Sequence, residues 1–121
     1  TMASVTVYLN FTDQTEKAFN FYKSIFGGEF IGDGIMRFKD VPPSGDMPPL
    51  SEKDKNLVMH VALELPGGFQ LMGSDAPASM GFEVVTGNNV YLNLMPDTRA
   101  ETRRLFEALS AGGKVTTELV T

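Results

Sequence analysis

An α+β fold built from paired βαβββ modules is what this 121-residue sequence predicts, and three observations carry that reading. The first is an internal repeat: Val7-Tyr8-Leu9-Asn10-Phe11 recurs as Val90-Tyr91-Leu92-Asn93-Leu94, an offset of 83. The match runs on through Asp13 and Asp97, Phe21-Tyr22 and Leu105-Phe106, Ile25 and Leu109 at 84, then Gly27-Gly28 and Gly112-Gly113 at 85. Single-residue slips are what loops absorb, and the period lies far above the roughly 50 residues of solenoid repeats. The second observation is that each copy opens with a strand pattern followed by a helix pattern. The third is that the first copy continues into further strands. The organisation expected is one domain over 1–121, with a first module at 4–86 and the start of a second at 89–121.

Each element has its own cause. Over 4–11, Val5, Val7, Leu9 and Phe11 alternate with Thr6, Tyr8 and Asn10, the period of a half-buried strand. Asp13 is placed to cap a helix over 14–26, with Glu16 as its capping-box partner. Ala18, Phe21, Tyr22 and Ile25 form the apolar stripe, and Gly27 stands where a helix ends. Residues 29–38 read as a strand that bends at Gly32 and Gly34. The segment Asp40–Asn56 holds four prolines and is long for a connection inside a domain; it reads either as a lid or as a loose excursion. Residues 57–65 alternate again, with Leu57, Met59, Val61, Leu63 and Leu65 opposed to Val58, His60, Ala62 and Glu64. Pro66-Gly67-Gly68 turns the chain into a strand over 68–74. In the second copy a strand over 89–95 precedes a helix over 98–111, boxed by Thr98 and Glu101 and ended by Gly112. A strand over 114–120 follows.

Composition excludes several functions. There is no cysteine, which removes disulfides, thiolate metal sites and cysteine nucleophiles. Ten Lys plus Arg against 15 Asp plus Glu give −5, the wrong sign for gripping a nucleic-acid backbone. No apolar run approaches the roughly 18 residues of a membrane span, and no secretory-signal layout opens the sequence. A cytoplasmic, soluble protein without nucleic-acid or membrane partners is expected.

Strand parity names the candidate site. Helices should cover the more apolar face of each strand, leaving the other parity on a concave face. That face would carry Tyr8, Asn10, His60, Glu64, Gln70 and Met72, with Tyr91 and Asn93 from the second copy. These eight are the candidate ligand-binding residues. Tyr8 and Tyr91, related by the repeat, would grip a ligand from two sides while Asn10 and Asn93 orient it. Met72 suits an adaptable surface. His60, the single histidine, is the only candidate general base, set against a plainer role as a hydrogen-bonding group in the cleft wall. Catalytic residues are otherwise unassigned. His60 and Glu64 are four residues apart on a strand, about 13 Å, too far to share one ion.

The segments YLNFTDQTEKAFNFYKSIFGGEF, VMHVALEL, FQLMGSDAP and NNVYLNLMPDTRAETRRLFEALSAGGKV resemble the vicinal oxygen chelate superfamily of glyoxalases, bleomycin-resistance proteins and dioxygenases. Within it they are most similar to the PhnB-like branch, whose members carry 3-demethylubiquinone methyltransferase names. The resemblance implies paired modules whose curved sheets enclose a cleft, and a homodimer. It also implies two further strands after 116–120, so the second module is expected to be incomplete at Thr121. Metal-dependent members draw His, Gln or Glu ligands from the first and fourth strands of each module. The matching positions here are Thr6 or Tyr8, Gln70 or Met72, and Asn89 or Tyr91. Neutral hydroxyl, amide and thioether groups bring no charge to replace the water a divalent ion loses. A degenerate metal site is therefore expected, with no cofactor predicted and a divalent metal as the alternative. No glycine-rich nucleotide motif follows a strand, so a methyltransferase activity has no visible cofactor site. The expected function is binding of a small molecule in the cleft between modules; the alternative is a divalent-metal-dependent lyase, isomerase or dioxygenase.

Overall fold

The alternating segments of the first half pair into one mixed sheet with a helix against one face, in a computed structural model that describes residues 5–40 and 50–119. In chain order the elements are β1 (Val7–Phe11), α1 (Thr15–Phe26), β2 (Glu29–Phe30), β3 (Met36–Arg37), α2 (Glu52–Lys55), β4 (Val58–Glu64), β5 (Gln70–Asp75) and α3 (Arg99–Ser110). The chain divides into two compact units, Thr1–Val85 and Thr86–Thr121.

In the first unit the sheet order is β1-β5-β4-β2, with β3 also on β4. β1 runs parallel to β5, and the other pairs are antiparallel. The β4–β5 hairpin closes where expected: Gly67 and Gly68 both hold positive φ, and Leu65 N–H donates to Phe69 O at 2.7 Å. The expected strand over 29–38 is interrupted at 31–35, and Gly32 and Gly34 take the left-handed backbone there.

The core is Phe19, Val58, Val61, Leu63, Leu65 and Leu71, with Val7, Leu9 and Phe11 packed on it from β1. The helix stripe read from the sequence is turned. Phe21 is exposed, whereas Phe19 is fully buried and Ala18, Tyr22 and Phe26 flank it. Apolar residues at 18, 19, 21, 22, 25 and 26 allow two stripes, and the partner sheet chooses between them. It chooses Phe19 because residue 73 is glycine: a Cβ there would stand 2.6 Å from Phe19 Cε1.

The helix cap also differs from expectation. Gln14, not Asp13, holds the N-cap position, and its side chain makes no capping bond. The carboxylate that serves the helix start comes from the end of β5. Asp75 Oδ1 accepts from Thr15 N–H at 3.0 Å and from Thr15 Oγ1 at 2.7 Å, while Oδ2 accepts from Val58 N–H at 2.8 Å. A carboxylate 60 residues away satisfies the orphan amide that local capping leaves open.

Glu16 instead takes both Arg37 guanidinium nitrogens, at 3.2 and 2.6 Å, and Arg37 also donates to Asn56 O at 2.8 Å. Those hydrogen bonds, with the opposite charge, hold the Glu16 carboxyl below its ordinary value against a smaller opposing effect of burial. A lowered folded-state value means the pair stabilises above the ordinary carboxylate range and that stability is lost as pH falls through it. Both side chains are part-exposed, so Glu16→Gln should cost about 0.5–1 kcal/mol at neutral pH. Urea melts at descending pH should show the difference shrinking as pH falls into and below the ordinary carboxylate range.

Within Asp40–Asn56, residues 41–49 lie outside the described residues, and with them the choice between lid and excursion. The far flank forms α2, where Ser51 Oγ accepts from Asp54 N–H at 3.1 Å.

In the second unit α3 has the same length as α1, 12 residues, and starts 84 residues later, at the offset of the repeat. Thr98 is its N-cap as the sequence predicts, with Oγ1 accepting from Glu101 N–H at 3.1 Å. The segments expected as strands, 89–95 and 114–119, are irregular, and residue 120 lies outside the described residues. The physical reason is pairing. β1 is a strand because β5 supplies its ladder, whereas the repeated VYLNL has no ladder neighbour among the described residues of its unit. Tyr91 is accordingly 85% exposed.

Candidate functional site

The face of the sheet turned away from the core gathers most of the polar residues that parity selects in the first unit. Across the β1–β5 pair Tyr8 stands opposite Met72 and Asn10 opposite Ser74. Across β4–β5, Ala62 stands opposite Met72 and Glu64 opposite Gln70. The Tyr8 hydroxyl lies 3.4 Å from His60 Nδ1, at the long end of a hydrogen bond, with the rings 6.0 Å apart. Ser74 Oγ donates to Asn10 Oδ1 at 3.2 Å, and Thr6 Oγ1 to Met72 Sδ at 3.8 Å. Tyr8, Asn10, His60 and Met72 thus lie in one patch, with Tyr8 47% exposed. Gln70 and exposed Glu64 pair beside it. Tyr91 and Asn93 belong to the second unit, on its irregular segment.

A β-bulge extends the patch in a way alternation could not reveal. Met36 pairs with His60 but Arg37 pairs with Val58, so β4 carries one extra residue at Met59. Val58 and Val61 both enter the core, and Met59 leaves it. Sequence parity assigns Met59 to the helix side; it lines a groove of about 580 Å³ with Asn10, Ser74, Phe38, Met80 and Phe82. That volume suits a small ligand. Phe38, expected at the end of the 29–38 strand, instead begins a 3₁₀ turn, while Met80 and Phe82 carried no periodic signal because they sit in a turn and in irregular chain. Buried Asp75 and exposed Glu83 also line the groove.

Among the described residues no group of three His, Cys, Asp or Glu side chains gathers around a common point. Thr6, Tyr8, Gln70 and Met72 offer hydroxyls, an amide and a thioether, and Thr6 is already turned to Met72. This donor set does not fit a divalent cation.

Among solved structures, protein PA1353 from Pseudomonas aeruginosa matches with 32% sequence identity and a TM-score of 0.70, over 97% of this chain and 79% of that one. The chain belongs to the family of PA1353. The PA1353 family's fold extends to the PhnB protein of Bacillus cereus, a candidate 3-demethylubiquinone-9 3-methyltransferase. It matches at 24% identity and a TM-score of 0.54, over 89% of this chain and 74% of that one. This PA1353-family chain therefore has a PhnB-like fold, an α+β arrangement with a five-stranded mixed sheet. No family model and no curated protein matches it. No helix among the described residues is long and apolar enough to cross a membrane.

Proposed function

We propose that this member of the PA1353 family is a small-molecule-binding protein whose site is the outward sheet face of the first unit. The observation that carries the reading is the Tyr8–His60 pair, on the same face as the Asn10–Ser74 pair that lines a groove of ligand size. Tyr8 offers a ring face and a hydroxyl, and His60 a second nitrogen that the Tyr8 contact leaves for a ligand. The repeat and the PhnB-like fold support assignment to the vicinal oxygen chelate superfamily, with paired modules in a cytoplasmic protein. The poor donor set favours binding over the metal-dependent lyase, isomerase or dioxygenase chemistry known in that superfamily.

A thermal-shift screen of small molecules, run with and without added Mg²⁺, Mn²⁺ or Zn²⁺, tests this. Compounds that raise the melting temperature of the wild type should do so without metal, and much less in Tyr8→Phe and His60→Ala. Hits that shift both variants as much as the wild type would place binding elsewhere, and hits that require metal would favour the enzyme.

The chain is further proposed to act as a homodimer. The second unit leaves Val90, Tyr91 and Met95 largely exposed, a run of apolar side chains that water solvates poorly. Light scattering at micromolar concentration should return twice the mass of one chain; a monomer mass would end this part of the proposal.

A further inference from the structure

We infer that the groove takes an organic cation: an amine or quaternary ammonium group carried on an apolar body. The inference rests on the small-molecule reading above and names the ligand class. Phe38, Phe82, Met59 and Met80 line the groove, residues whose rings and thioethers are soft and polarizable. Among the described residues its charged lining is Asp75 and Glu83, with no lysine or arginine. The basic residues on either side of Phe38 are engaged elsewhere. Arg37 is held by Glu16 and Asn56 O, and Lys39 Nζ donates to Asn56 Oδ1 at 3.2 Å. Asp75 has both oxygens committed to Thr15 and Val58, so it contributes field rather than a contact. Glu83 is exposed, and no described residue engages it.

An apolar recess lined by one sign of charge concentrates the opposite charge. The negative faces of aromatic rings act in the same direction, and most strongly on a weakly hydrated ammonium. An anion entering here would meet two carboxylates and no cationic side chain. A neutral ligand of the same shape would gain the apolar contact alone.

Three probes of similar size separate these cases: benzyltrimethylammonium, its uncharged isostere neopentylbenzene, and phenylacetate. Titration of the full chain carrying ¹³C-methyl methionine reports on the groove directly, because Met59 and Met80 line it. The cation should move those two methyl signals and bind about tenfold more tightly than either other probe. Glu83→Gln should weaken the cation about fivefold and leave neopentylbenzene unchanged. Phe82→Leu, at a half-exposed position, should weaken the cation selectively in the same way. Phenylacetate or neopentylbenzene binding in the groove as tightly as the cation would overturn the charge inference and leave the groove standing as a site. Cation binding indifferent to both substitutions would also overturn it. Failure of all three probes to move the Met59 and Met80 signals would overturn both the inference and the groove as a small-molecule site.

Discussion

Alanine in place of Asp75 is expected to destabilise the protein by about 3–5 kcal/mol, because two buried amides and a hydroxyl lose their acceptor together. The side chain is 4% exposed, so water cannot take over the bonds to Thr15 and Val58. Asn at the same place keeps one carbonyl oxygen but turns an amide N–H₂ toward a donor that needs an acceptor. It should recover less than half of the loss. Urea denaturation followed by circular dichroism reads both variants. A cost below about 1 kcal/mol for Asp75→Ala would mean that α1 and β4 do not depend on this carboxylate.

The second large effect concerns Phe19 and Gly73. Phe19→Ala removes a fully buried ring and should cost about 3–5 kcal/mol. Gly73→Ala alone should cost about 1–3 kcal/mol, since its new methyl meets Phe19 Cε1 at 2.6 Å and Leu9 O at 3.1 Å. Together the two changes should cost less than their sum, because Phe19→Ala removes the ring that the new methyl strikes. Strict additivity in denaturant titrations would show that the ring moves aside freely and that glycine is not required at 73.

The sequence carried the long elements well where local chemistry and tertiary pairing agree. β1, β4, β5 and both long helices follow from alternation, helical spacing and capping residues such as Thr98. It failed where a remote group decides. Asp13 has every local credential of a cap, yet Asp75 makes the bonds, and nothing local to Thr15 signals that. The repeated VYLNL has the pattern of a strand, but a strand needs a neighbour as well as a pattern, and among the described residues only the first copy has one, β5. At the site, parity reads the regular β1–β5 ladder, in which Tyr8 stands opposite Met72 and Asn10 opposite Ser74. It misplaces Met59, since one extra residue in β4 reverses the alternation without leaving a trace in composition. Phe82 and Glu83 escape for another reason: irregular chain has no period to read.

The contact between Thr15 and Asp75 spans 60 residues, and the parallel register of β1 on β5 spans a similar distance. Parallel partners cannot be joined by a tight turn, so this closure must be made by a long stretch of chain whose entropy is lost before the contact rewards it. During synthesis, α1 leaves the ribosome with its first amides still open to water, and it stays so until the β4–β5 hairpin has followed. The hairpin is local and can form by itself, but the edge strand and the helix wait for Asp75. Folding of the first unit is thus gated by its last strand, and a ribosome-stalled chain ending before residue 75 holds the pieces of the sheet without the clasp that joins them.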